Sequence, residues 1–438
     1  METFPRVLFI TPLAFNKVTG TGITFTNLFR GWPKDRIATV HDDRIPLGTD
    51  VCENYYRLGA GEIRKFGGAI TNRPHVPAAG SSGAGSAASG ILQAIKKFIF
   101  GDGLPQRGVL SPGLETWIRD FNPDIIYTIL GSNGLMDIVE AVQRKFDIPM
   151  VVHIMDDWMA DAFRGGLLGP VQRRRMLASI DRIIENSSLR LGICDAMCEA
   201  FSDRYGVPFQ AFQNVVDTRA LDHLVTDPEI VGDPVRIVYA GSVFAYAQKQ
   251  SLADCAQAVA ALGQGGQGGQ GGRDGLAVKL DIYCPPSHIE DDRQHFTPAT
   301  NVRLHGPLSD DEEFFSTICS ADILLIPVNF DEKSVAYIRY SMPTRVPAYL
   351  ASATPILVYG PPGVAQVDYA KETGWGHVVD RPRAEDLQQA IRRLSEDGDM
   401  RHILSTTARQ LAASRHDAAQ VRQQFCDALA SVTTGETR

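Results

Sequence analysis

The chain has 438 residues, 44% hydrophobic and 21% charged, the balance of a globular protein of two or three domains rather than a disordered or fibrous one. Its formal charge of −8 disfavours nucleic acid as the main partner, because phosphate neutralisation needs a basic surface. No apolar run reaches the roughly 20 residues that span a bilayer, and METFPRVLFITPL lacks the basic leader of a signal peptide, so the expected location is the cytoplasm.

Strands are expected at Arg6–Thr11, Ile37–Val40, Ile125–Ile129, Met150–Ile154, Leu189–Cys194, Val235–Ala240, Val278–Tyr283, Val302–Leu304, Ile323–Ile326 and Ile356–Tyr359. Several are continuous apolar runs separated by segments of helical period, the pattern of parallel strands covered on both faces. The fold class is therefore α/β, with two Rossmann-like doubly wound domains. The pattern restarts near 235, after the Pro- and Asp-containing stretch Thr226–Pro234. This places a first domain at 1–225, a hinge at 226–234, a second domain at 235–398 and a helical segment at 399–438 that packs back over the hinge. Pro74–Gly90 and Gly263–Gly272 are low in complexity and read as flexible surface loops. The seven cysteines, odd in number and scattered, read as reduced buried thiols. Cys194 and Cys198 lie one helical turn apart without a second ligand pair, so no metal site is assigned to them.

Five constellations carry chemistry. After the first strand, Gly20, Thr21 and Gly22 precede a helix expected to start near Ile23, where glycines and free N–H groups suit a phosphate. The glycine spacing does not match a dinucleotide fingerprint, so NAD is disfavoured. Asp156 and Asp157 follow the strand Met150–Ile154 and could bind sugar hydroxyls or accept a proton, or Asp157 could cap the next helix. His153, inside that strand, reads as a core residue. Gly241 and Ser242 end the strand Val235–Ala240, and Lys249 then precedes a helix, a place suited to a diphosphate. His305, Gly306 and Pro307 form a turn able to border a flat base, followed by Ser309 and Glu312 as a capping box. Finally, Arg339 and Arg345 flank Pro343 and Thr344, with Thr344 able to cap a helix whose first turn holds Pro347.

The order of these features resembles the GT-B glycosyltransferases, in particular the retaining family 4 group of bacterial polysaccharide and glycoconjugate enzymes. The resemblance runs through Gly20-Thr21-Gly22, Asp156-Asp157-Trp158, Asn214-Val215-Val216-Asp217, Tyr239-Ala240-Gly241 with Lys249, and His305-Gly306-Pro307. It continues through Ala321-Asp322 with Ile326-Pro327 and Pro343-Thr344-Arg345 with Tyr349-Leu350-Ala351. It implies two domains facing across a cleft, the acceptor held by the first and a nucleotide-diphosphate sugar by the second. Lys249 and Arg345 would face the diphosphate, transfer would proceed with retention, and no cofactor or metal would be needed. Two features depart from the family. The glutamates expected eight residues apart are Tyr340 and Ala348, and the expected Gly-Arg dipeptide is Gly241-Ser242. Losing a carboxylate hydrogen bond to a ribose costs on the order of 1.5–3 kcal/mol. A catalytically degenerate binding or scaffold protein and a sugar-nucleotide epimerase therefore stand as alternatives.

The stretch Ile91–Phe100 sets Ile91, Leu92, Ile95, Phe98 and Ile99 against Lys96 and Lys97, and Arg173-Arg174-Arg175 adds further positive charge. A basic amphipathic stretch either packs on its own domain or lies on an anionic membrane. The second case would suit a lipid-linked acceptor at the inner face of the membrane.

Overall fold

Runs such as VLFI, ILLIP and ILVY carry no charged side chain and are buried at every position, as strands covered by helices on both faces must be. The computed structural model describes residues 4–65, 103, 105–264, 276–308 and 310–434. The insertion 74–90, the stretch 91–100, most of 263–272 and Ser309 lie outside the described residues. The chain forms two compact units, 1–214 with 420–438, and 215–419.

In the first unit, β1 (Val7–Ile10), α1 (Gly20–Leu28), β2 (Ile37–His41) and β3 (Asn54–Arg57) are followed by the hairpin of β4 (Ile63–Lys65) and β5 (Gln106–Gly108). Then come α2 (Pro112–Phe121), β6 (Ile125–Thr128), α3 (Asn133–Phe146), β7 (Met150–Ile154), α4 (Gly169–Asn186), β8 (Leu189–Gly192), α5 (Asp195–Tyr205) and β9 (Gln210–Ala211). Seven strands form one parallel sheet in the order β3-β2-β1-β6-β7-β8-β9. Ser111 and Ser132 accept hydrogen bonds from the backbone at Leu114 and Leu135, capping α2 and α3.

In the second unit, the sheet order is β12-β11-β10-β13-β14-β15, again all parallel. Its strands are β10 (Val235–Ala240), β11 (Val278–Tyr283), β12 (Val302–His305), β13 (Ile323–Pro327), β14 (Ile356–Tyr359) and β15 (His377–Val379). The helices are α6 (Lys249–Gln264), α7 (Arg293–Phe296), α8 (Asp311–Cys319), α9 (Glu332–Ile338), α10 (Val346–Ala351), α11 (Ala365–Thr373), α12 (Ala384–Glu396) and α13 (Gly398–Leu411). Both sheets thus repeat one topology, in which strand order reverses between β1 and β6 and again between β10 and β13. All ten expected strands form. The five others, β3, β4, β5, β9 and β15, are short, and none has the fully buried apolar pattern of the central strands.

The segment 226–234, expected as a hinge, is pinned within the second unit. Thr226 Oγ1 donates to Cys319 O (3.1 Å), the Gly232 N–H donates to Asp322 Oδ1 (3.0 Å), and Arg401 donates to the carbonyls of Pro228 and Glu229. The division instead falls at Asn214/Val215 and at Ala419/Gln420. Residues 399–419 stay with the second unit, while most of the last helix, α14 (Ala418–Thr434), belongs to the first. There Arg422 Nε donates to Asn27 O (2.6 Å), and the Phe425 ring packs edge-on against Phe29 and Phe212.

Two histidines are sealed in these cores. His153 in β7 lies 2.5 Å from the Tyr127 hydroxyl, and His416 lies 3.0 Å from the Tyr369 hydroxyl. Burial drives the pKa of His153 down to about 4; burial and then the nearby Arg415 do the same for His416. Both are neutral at pH 7. In each case the unfolded chain, with a pKa near 6.5, binds the proton more readily than the folded one. Stability is therefore unaffected above pH 6.5 and is lost as pH falls from 6.5 toward 4. Each histidine should cost about 2 kcal/mol between pH 7 and pH 5. Urea unfolding at both pH values should show a smaller acid loss for His153→Gln or His416→Gln than for the parent. Equal losses would mean that these rings are not buried neutral.

Candidate active site

In open parallel sheets, ligands bind beyond the C-terminal strand ends where strand order reverses. In the second unit that point lies past Ala240, at the end of β10. The next residue, Gly241, has φ +145°, a backbone conformation that side chains resist. A Cβ at 241 would lie 2.2 Å from Arg345 Nη1, so the glycine also makes room for that guanidinium. Arg345 sits over the Tyr239 ring, 4.7 Å from its centroid, and Nη1 approaches Ala240 O at 3.4 Å. Its Nε–H is buried without a hydrogen-bond partner, and it forms no ion pair among the described residues. Around it, the Tyr349 hydroxyl accepts the Ala240 N–H (3.0 Å), and burial pushes that phenol up to about 12. The Tyr239 hydroxyl donates to Ser242 O (2.5 Å), and Gln248 Nε2 donates to the same carbonyl, so the 241–248 loop is braced from below.

Lys249 is the first residue of α6, and its ammonium is paired with Asp292. His288 accepts the Val243 N–H (3.1 Å); burial first, and the Lys249 charge second, lower its pKa. The α6 N-terminus is already capped by Asn329, which follows β13. Asn329 Oδ1 accepts the N–H groups of Gln250 (3.1 Å) and Ser251 (3.2 Å), and its Nδ2 donates to Ala245 O (2.8 Å). Sequence reasoning passed over Asn329. The available signal was an amide residue directly after the apolar run 323–328, at the reversal of strand order.

The remaining expected residues of this unit make contacts of their own. His305 Nε2 is 2.9 Å from Asp281 Oδ1, its ring stacks on Tyr283 at 4.4 Å, and Arg236 Nε donates to the other Asp281 oxygen at 2.9 Å. Burial alone would raise the Asp281 pKa, but hydrogen bonds from Arg236 and His305 outweigh it and hold the carboxyl below its ordinary value. His305 is thus engaged in a polar array on the sheet face. Gly306 and Pro307 are exposed, and a Cβ at 306 would meet nothing within 4 Å. Arg339 is exposed at the end of α9. Pro343 O accepts the Val346 N–H (3.0 Å), which makes Arg345 rather than Thr344 the residue preceding α10. Ala348, in the place of an expected glutamate, is buried. Asp310, rather than Ser309, caps α8 by accepting the Glu313 N–H (2.9 Å).

In the first unit, Gly20, Thr21 and Gly22 form the opening turn of α1 instead of a loop before it, because Thr19 caps the helix by accepting the Gly22 N–H at 3.1 Å. Gly22 is needed for packing: a Cβ there would lie 2.2 Å from Asn16 Nδ2, and Asn16 is a buried residue that organises the preceding turn. Asp157 is buried and bound by Arg204 Nη2 (2.9 Å), whose guanidinium also covers the Phe201 ring; it makes no side-chain cap bond. Asp156 beside it is half-buried. The seven cysteines are buried thiols, and burial raises Cys194 to about 11 and Cys198 to about 12. Among the described residues no helix is long and apolar enough to cross a membrane.

The topology of both units is that of the GT-B fold, and the solved structures that resemble the chain share it. Sucrose-phosphate synthase from Thermosynechococcus elongatus matches with a TM-score of 0.64 and 13% identity, over 98% of this chain and 100% of its own. HepE of Anabaena in complex with UDP matches at 0.61 and 13%, over 97% and 100%. A glycosyltransferase from Rickettsia africae matches at 0.60 and 10%, over 97% of each chain. No family model matches the sequence, and no curated protein does.

Proposed function

We propose that the protein is a glycosyltransferase that takes a sugar from a nucleoside-diphosphate donor. The observation that carries this reading is Arg345. It is an arginine without an ion-pair partner among the described residues, with a buried unpaired Nε–H, set beside a glycine of positive φ at the reversal point of a parallel sheet. A guanidinium so placed lacks the anion that would complete it, and a diphosphate has the charge and the acceptor oxygens to do so. Lys249 is the second cation, released from Asp292 when the donor binds. Together they would stabilise the departing diphosphate while an acceptor hydroxyl attacks. This reading assigns no metal or cofactor. Asp156 is the acid assigned to the acceptor, Asp157 being held by Arg204. The acceptor is a polysaccharide, glycolipid or other glycoconjugate, transfer proceeds with retention as in the family 4 group, and the enzyme meets the membrane peripherally.

HepE, in its complexes with UDP and UDP-glucose, makes the uridine compounds the first donors to try. A thermal-shift screen over nucleoside diphosphates and nucleotide sugars, followed by assay of sugar release and transfer, tests the proposal. A shift with one base and sugar together with turnover is expected; neither shift nor turnover with any of them would end it. Ala348 favours a second reading, a degenerate member that binds without turning over, since α10 contains no acid to meet a ribose. That reading expects a nucleotide shift without transfer. An epimerase would convert the donor with no acceptor present.

A further inference from the structure

We infer that the turn leading into α4 is a docking tip for an anionic phospholipid bilayer. The inference stands on its own surface and not on the transferase reading. Leu167 is 65% exposed, Leu168 39% and Val171 66%, so three of the large exposed apolar side chains fall within five residues. Isolated exposed apolar residues need no explanation, but a contiguous group does. Exposure of this extent makes them a projection rather than the lining of a groove, and a fluid interface closes around a projection.

The tip is built rather than loose. Phe163 (φ +55°) and Gly166 (φ +80°) turn the chain, and the Gly169 N–H donates to Gly166 O at 3.1 Å. A Cβ at Gly169 would lie 2.9 Å from Phe163 O, so the turn packs against the helix start. Arg173 Nη1 clamps the base of the turn by donating to the carbonyls of Met159 (2.8 Å) and Ala162 (2.7 Å).

Charge selects the occupant. Between Asp161 and Asp181 the chain carries four arginines, at 164, 173, 174 and 175, and no acid, although the whole chain is at −8. Arg175 is consumed by Asp137 and Arg164 lies 3.8 Å from Asp161. Arg173 bonds only carbonyls among the described residues and has no carboxylate there to neutralise it. Arg174, exposed one turn beyond Val171, has no partner among the described residues. The start of an 18-residue helix without a side-chain cap adds partial positive charge at the same place. Apolar side chains entering the acyl boundary beside positive charge are the requirements of an interfacial anchor on anionic lipid.

The full chain should co-sediment with vesicles of phosphatidylcholine and phosphatidylglycerol (about 7:3) and not with phosphatidylcholine alone, and added salt should weaken the binding. Leu167→Ser with Val171→Ser should lower the partition coefficient about tenfold or more, and Arg174→Glu severalfold, with melting temperatures unchanged because all three side chains are exposed. Binding no better than to neutral vesicles would overturn the inference, as would undiminished binding by the serine pair. So would a change of oligomeric state in the serine pair on size exclusion, which would assign the tip to a second copy of the chain.

Discussion

Arg345→Ala is expected to lower kcat/KM for sugar transfer by about 10²–10³, the usual loss on removing a donor that meets developing charge. The residue's stabilising contacts are few: one long bond to Ala240 O and the Tyr239 ring face. Its melting temperature should therefore move little while its activity falls far. Arg345→Lys retains charge but not the planar fork, and should recover only part of the loss. Gly241→Ala approaches the same guanidinium from the backbone. It removes no charge, yet its Cβ would occupy the space of Nη1, and φ +145° adds strain of about 1–3 kcal/mol. It should lose both stability and donor affinity. Steady-state kinetics and thermal melts on the three variants check this; full turnover in Arg345→Ala would remove the diphosphate assignment.

The two cations differ in what binding asks of them. Lys249 already has Asp292, so a donor must exchange one anion for another, and the net gain is the difference between two ion pairs. Arg345 has no anion to give up among the described residues. Its desolvation is already built into the fold, including a buried Nε–H left unpaired, and a ligand oxygen there would satisfy a donor that the protein itself leaves open. On the proposed donor reading, this asymmetry places the larger share of diphosphate recognition on Arg345.

How much of this was legible in the sequence depends on distance along the chain. Ile356–Tyr359 was readable to the residue because a strand covered on both faces is apolar throughout, and Val235–Ala240 and Val278–Tyr283 because apolar residues dominate them around Arg236, Lys279 and Asp281. Asn54–Arg57 and Gln210–Ala211, at the sheet edge, have no such obligation, and NYYR or QA resembles many loops. Helix starts slipped where several candidates adjoin: by one residue with Asp310 next to Ser309, and by three with Thr19 drawing Gly20–Gly22 into the helix. The site was only half readable. Lys249 and Arg345 stood out as cations near helix starts, but nothing local ties Gly241 to a guanidinium about a hundred residues later, or Asn329 to the start of α6. Likewise Asp157 was open to a binding or a capping role in the sequence, and nothing local ties it to Arg204, which α5 delivers.

Arg401→Ala is expected to destabilise the second unit by about 3–5 kcal/mol, from three lost charge-assisted hydrogen bonds and a cavity. Arg401 is 3% exposed and has no carboxylate partner among the described residues; its guanidinium donates to Pro228 O (2.8 Å), Leu394 O (2.9 Å) and Glu229 O (2.6 Å). These carbonyls belong to the segment 226–234 and to the end of α12, so one side chain staples a stretch with little apolar content of its own to two helices. Without it the carbonyls must find water inside a packed corner. Arg401→Met keeps the stem but none of the donors and should lose most of the same stability, whereas Arg401→Lys, with a compact head, should reach one or two of the acceptors and lose less. Urea unfolding gives the three values, and hydrogen exchange locates the effect. Amides of residues 226–234 should lose protection first in Arg401→Met. If they stay as protected as in the parent, the staple does not hold the segment, and 226–234 would owe its order to its other contacts, among them Thr226 with Cys319 O, Gly232 with Asp322 and the packing of Val231.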